Sequence, residues 1–176
     1  KKVGETFEVE EYTQRCLDAI DNASSFKSNF VSEGYEIQGI TSNRVRHFLN
    51  NLCSHDDAVY LELGTLMGST FFAATMGNSI ENIGVDDFSD AECKPMTNNL
   101  HWSEVGNAFE EFQRHFKKYE NGKSTFLKSD ILDLTKEDFE GKKPNVVFYD
   151  ANHDYVQQLN ALNHICLLYT SPSPRD

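Results

Sequence analysis

"YLELGTLMGSTFF", residues 60–72, is the stretch on which the reading of this chain turns. An apolar run ends in Glu62, Gly64 and Gly68 follow four positions apart, and Ser69-Thr70 open a second apolar stretch. A β-rich run that halts at a glycine and restarts at a Ser-Thr pair predicts a strand, a tight turn and a helix. Gly64 can take backbone angles closed to other residues, and Gly68 lets a ligand approach with no Cβ in the way. The helix opened by Ser69 and Thr70 presents free amides and a positive end, which favour a carboxylate or phosphate.

Working outward, residues 8–21 carry Val9, Tyr12, Cys16, Leu17 and Ile20 at helical spacing, and a loop with Gly34 and Gly39 follows. "TSNRVRHFLNNLC" (41–53) pairs a Thr41/Ser42 cap with Val45, Phe48, Leu49 and Leu52, a second helix. "AVYLEL" (58–63) reads as the first strand, and "STFFAATMG" as a helix from Ser69 that stops at Gly77. "NIGVDD" (82–87), "STFLKSD" (124–130) and "NVVFYD" (145–150) supply three more strands. Between them "SEVGNAFEEFQRHFKKY" (103–119) places Val105, Phe109, Phe112 and Phe116 on one helical face, and "YVQQLNALNHI" (155–165) closes with another helix. Strands alternating with helices predict an α/β fold, a Rossmann-like doubly wound parallel sheet. Val146 to Tyr149 are apolar in succession, as burial on both faces of the sheet requires. The expected organisation is an N-terminal helical segment (1–40), the doubly wound domain (41–165) and a tail (166–176).

In an open parallel sheet the ligand lies beyond the carboxyl ends of the strands, where strand order reverses. Three ligands compete for the glycine turn. A nucleoside triphosphate needs the P-loop lysine, and "MGST" has no Lys before its Ser. A dinucleotide needs G-x-G-x-x-G, and Leu66 stands where the second glycine belongs. S-adenosylmethionine has no pyrophosphate, and "ELGTLMG" satisfies its E/D-x-G-x-x-x-G pattern from Glu62 to Gly68. Asp86-Asp87 end the second strand, where an acid can accept from both ribose hydroxyls. Asp130, in "KSDIL" after the third strand, stands near the expected adenine ring. The plainer reading makes each Asp a turn residue and the glycines punctuation. Three such features in the correct order favour the nucleoside site.

Taken together, "YLELGTLMGST", "IGVDDF", "FLKSDI" and "VFYDANHDY" resemble the class I S-adenosylmethionine-dependent methyltransferases over about residues 41–165. The closest branch is the small-molecule O-methyltransferases, including macrocin O-methyltransferases and cephalosporin-hydroxylase-like proteins. The resemblance implies that Glu62, Gly64 and Gly68, with Thr65 and Ser69 of the same turn, hold the methionine end of S-adenosylmethionine. It likewise implies that Asp86, beside Asp87, binds the ribose and that Ser129 and Asp130 line the adenine pocket.

"YDANHDY" sets Asp150, His153 and Tyr155 just past the fourth strand, facing the expected methyl group. Methyl transfer to oxygen needs an acceptor held close, its proton removed and its anion stabilised. In relatives of this kind an acid here commonly binds Mg²⁺, which makes Asp150 the metal-ligand candidate and His153 the candidate base or substrate contact. The plainer alternative has Asp150 capping the next helix and His153 on the surface. Ala151 departs from the family's usual Asp-Gly-x-His, and partner acids expected after a fifth strand have no counterpart here. His101 and Trp102 could roof the substrate or pack on their own domain. His47, His55, His115 and His164 receive no role.

The chain has 176 residues and a formal charge of −12, with no Lys/Arg run, which argues against a nucleic-acid partner. Cys16, Cys53, Cys93 and Cys166 are scattered, as in a reducing compartment, and no stretch is long and apolar enough to span a bilayer. A cytoplasmic enzyme acting on a small-molecule acceptor is expected, with no membrane partner and with homo-oligomerisation left open. The chain opens on Lys1 rather than Met, read as a missing natural start. "CLLYTSPSPRD" (166–176) resembles translated sequencing adapter, so the natural chain is expected to be interrupted near Ile165. Such a chain would keep the cofactor half of the site, lack much of the acceptor half, and leave strand four as a bare edge. Two alternatives stay open: a nicotinamide-dependent oxidoreductase, and a nucleoside-binding module without catalysis.

Overall fold

The computed structural model describes residues 3–89 and 107–170. Four parallel strands, β1 (Val59–Leu63), β2 (Glu81–Val85), β3 (Ser124–Leu127) and β4 (Val146–Tyr149), lie in the order β3-β2-β1-β4. Leu61 of β1 pairs in register with Ile83 and Val147, and Leu63 with Val85 and Tyr149. The helices are α1 (Val3–Ser24), α2 (Asn43–Leu52), α3 (Ser69–Thr75), α4 (Ala108–Tyr119) and α5 (Tyr155–Thr170), with short 3₁₀ turns at Ser32–Glu36, Ile131–Asp133 and Glu137–Phe139.

Strand alternation divides the core into two layers of packing. Tyr60 faces α2, α3 and α4, in a cluster with Leu49, Cys53, Phe71, Phe72 and Phe112. Leu61 and Leu63 face the other way, against Ile83, Val85, Leu134, Phe139 and Ile165 of α5. Every residue of α3 is buried, apolar Phe71–Ala74 and the hydroxyl-bearing Ser69, Thr70 and Thr75 alike. Local signals set the helix starts: Ser42 accepts from the Val45 amide at 3.3 Å, and Asn107 from the Phe109 amide at 2.9 Å. Glu110 and Glu111 in the first turn of α4, with Lys117 and Lys118 in its last, complement the helix dipole.

Two expectations are corrected. Strand β4 lies at the sheet edge, as expected, pairing with β1 alone among the described residues, but it is not buried on both faces: Val147 is 43% exposed. An apolar run thus marks a strand without saying whether it lies inside the sheet or at its rim. Helix α5 does not end at Ile165 but runs on to Thr170, since Leu167 and Leu168 are good helix formers and Leu168 packs on the second cluster. Among the described residues no helix is long and apolar enough to cross a membrane.

Candidate functional site

Strand order reverses between β1 and β4: the chain steps from β1 through β2 to β3, then crosses back to β1's other side. A cavity of about 290 Å³ lies there, at the carboxyl ends of both strands. One wall is the turn and helix start, Gly64, Thr65, Leu66, Met67, Ser69 and Thr70. Asp150 and His153, past β4, form a second, and Gln38, Gly39, Ile40 and Thr41 a third.

The turn is held from several sides. The Gly64 amide donates to Val85 O at 2.8 Å and the Gly68 amide to Thr65 O at 2.7 Å. Gly64 sits at φ +93°, and a Cβ there would fall 2.6–2.7 Å from Asp150 O and the Ala151 backbone. Glycine at 64 is therefore what lets the β1 and β4 turns abut. Leu66 takes φ +46°, a left-handed conformation rare for a leucine, and its amide donates to Asp86 Oδ2 at 2.7 Å. The second oxygen of Asp86 accepts from the Phe88 amide at 2.7 Å. Burial raises the Asp86 carboxyl above its usual value, and the amides of Leu66 and Phe88 offset part of that rise.

Gly68 plays a different part from the one expected. Its φ is +87°, and the space a Cβ would need is filled by the rings of Phe72 and Phe112, in the core rather than the cavity. Glu62 is also hidden from the cavity, at 0% exposure beneath the turn. Tyr60 and Thr70 both donate their hydroxyls to it, Thr70 at 2.7 Å. Burial pushes its carboxyl up to about 8, with those two hydroxyls pulling the other way. Glu62 thus ties β1 to α3 through Thr70, one side chain behind the cavity wall to which Thr70 belongs.

The expected residues separate into two groups. Gly64, Thr65 and Ser69 from the turn share one cavity with Asp150 and His153 from β4. Glu62, Gly68, Asp86, Asp87, Ser129 and Asp130 are not on its wall. Asp87 accepts from the Ser89 amide and hydroxyl, and Asp130 from the Leu132 amide at 2.8 Å as the cap of a 3₁₀ turn. Ser129 donates to Asp130 O at 3.0 Å. Asp150 Oδ1 stands 3.7 Å from His153 Nε2, and partial burial raises the Asp150 carboxyl, with His153 offsetting some of it. His101 and Trp102 lie outside the described residues.

The third wall was not foreseen. Gly39 rests on Ser69 with no room for a side chain between them, so residues 38–41 strap over the start of α3. Buried Arg46 anchors the strap's approach, donating to Gly34 O at 3.1 Å and Ile37 O at 2.8 Å. Only the glycine itself signals this contact in the sequence.

Among the described residues no three His, Cys, Asp or Glu side chains gather as a metal site. Asp150 and His153 offer one carboxylate and one imidazole, a poor set for an ion that wants six oxygens. The residues described do not fit Mg²⁺. For an adenosylmethionine-like ligand the fit is better. Thr65 is 2% exposed, and its hydroxyl has no partner among the described residues. An orphaned hydroxyl costs about 1–3 kcal/mol, which a ligand acceptor at this wall would recover.

No family model matches this chain, and neither does any curated protein. Among solved structures it is similar to a candidate RNA methyltransferase from Pyrococcus horikoshii, at 14% identity and a TM-score of 0.46. The likeness covers 88% of this chain and 67% of that one. At that identity and score it bears on neither substrate nor chemistry.

Proposed function

We propose that the chain is the cofactor-binding part of an S-adenosylmethionine-dependent methyltransferase that acts on a hydroxyl of a small metabolite or sugar. One observation carries the reading: a single cavity at the strand-order reversal joins the glycine turn of β1 to Asp150 and His153 of β4. When bound, the cofactor supplies an electrophilic methyl group on a sulfonium.

Each wall has a task that its chemistry suits. The buried hydroxyl of Thr65, a residue of the cavity wall, would meet the ligand's carboxylate, and the Asp150 carboxylate its ammonium group. His153 is 81% exposed at the side chain and free to meet an acceptor entering from solvent. It would take the acceptor's proton, with Asp150 close enough to stabilise the imidazolium that results. The Gln38–Thr41 strap would limit water at the inner end of the cavity.

The dinucleotide alternative draws one observation to its side, the glycine-like backbone of Leu66. That amide is already committed to Asp86, which places a carboxylate behind the turn where a pyrophosphate would want a free donor. A thermal-shift panel separates the readings. Stabilisation by S-adenosylhomocysteine and not by NAD supports the methyl-donor site, and the reverse pattern overturns it.

A further inference from the structure

His115 of α4 has no place in the chemistry above, yet its ring reaches the ligand turn. It is 5% exposed, and its Nδ1 lies 2.9 Å from Met67 O, a carbonyl in the turn that walls the cavity. A carbonyl can only accept, so Nδ1 carries the proton. Nε2 lies 2.9 Å from Arg114 Nη2, and a guanidinium can only donate, so Nε2 accepts. Both neighbours demand the same tautomer. Arg114 is fixed in turn by Glu111 at 2.6 Å and 3.1 Å.

The surroundings keep the imidazole neutral. Burial is the main cause lowering its pKa, and Arg114 adds to it while the Met67 carbonyl works against it. The charged groups nearby are Glu111, Arg114 and Lys118 on its own helix, with Glu36 meeting Lys118 at 3.8 Å. Phe72 of α3, packed edge-on to the ring, brings no charge.

We propose that His115 is a positioning residue that latches α4 to the ligand turn, fixing the Met67 carbonyl so that the Leu66–Gly68 backbone is preset for the ligand. The latch complements the Asp86 bond: Asp86 grips the Leu66 amide from just past β2, and His115 grips the Met67 carbonyl from α4. It rests on the methyl-donor reading only for which ligand the turn receives.

Two variants distinguish a latch from packing. His115→Asn keeps a donor near the Nδ1 position and loses the ring; His115→Phe keeps the ring against Phe72 and loses the donor. Hydrogen exchange at the Leu66 and Gly68 amides, with Ile83 in β2 as the internal control, is read in both. The latch predicts exchange about 10-fold faster at the two turn amides in H115F and near wild type in H115N, since one hydrogen bond contributes about 0.5–1.5 kcal/mol. S-adenosylhomocysteine affinity should fall by a similar factor in H115F and return in H115N. Unchanged turn exchange in H115F, or turn exchange in H115N as fast as in H115F, overturns the proposal. Should the wild-type chain bind no S-adenosylhomocysteine, the methyl-donor reading fails, and the exchange pattern alone still decides the latch.

Discussion

The amide of Leu66 lies 2.7 Å from Oδ2 of Asp86, so the turn after β1 is pinned by the residue just past β2. This bond holds a leucine at φ +46°, a conformation that costs about 1–3 kcal/mol and persists only where neighbours enforce it. Asp86→Ala should therefore lower unfolding free energy by roughly 2 kcal/mol, the scale of hydrogen bonds to a charged group. Urea titration reads it, and a loss under about 0.5 kcal/mol would mean the pin is idle.

Gly64 is the point where two strand ends touch. Gly64→Ala forces a Cβ against Asp150 O and Ala151 at a backbone angle alanine avoids. The expected result is a destabilisation of about 2 kcal/mol or more, with ligand binding lost in the folded fraction as the β1 and β4 turns separate. Calorimetric unfolding with and without S-adenosylhomocysteine measures both.

Buried Glu62 makes stability fall as pH rises. Its folded-state value, about 8, lies above that of the unfolded chain, so the native state holds the extra proton between roughly 4.5 and 8. Stability from this group is complete at the acid end of that window and declines through it. Glu62→Gln, which mimics the protonated acid, should flatten this slope and gain on the wild type by about 2 kcal/mol or more at pH 9. Parallel pH–stability curves for the two proteins would show that Glu62 is ionised throughout.

The two residues past β4 should separate by role. Asp150→Ala removes the wall carboxylate and should weaken S-adenosylhomocysteine about 10-fold or more. His153→Ala, largely exposed, should leave that affinity within about 2-fold, since its task is the acceptor's proton rather than ligand binding. Equal losses in both variants would remove the division of labour.

Much of this was legible from local pattern. Short apolar β-rich runs placed all four strands, and helical spacing with caps placed α1–α5, because burial against the two core layers leaves those patterns in the sequence. The pairing of the glycine turn with Asp150 and His153 followed from strand order, since only β1 and β4 flank the reversal. What stayed hidden depends on which way side chains turn and on contacts that the local pattern does not announce. Gly68 reads as an opening for ligand until Phe72, backed by Phe112, is seen filling its space. Glu62 reads as a ligand residue until Tyr60 and Thr70 are seen to claim it. His115 is 48 residues from Met67, and nothing in its helix pattern announces that contact. Val147 looks buried by composition because an edge strand and a central one share the same residue preferences.

The central claim is tested most directly by titrating ¹⁵N-labelled protein with S-adenosylhomocysteine and following amide shifts. The account predicts saturable changes at Gly64–Ser69 and Asp150–His153, with no change at a second cleft, lined by Tyr12, Arg15 and Cys16 of α1 and Val146 and Val147 of β4. No change at the glycine turn under millimolar ligand, or changes confined to that cleft, would contradict it.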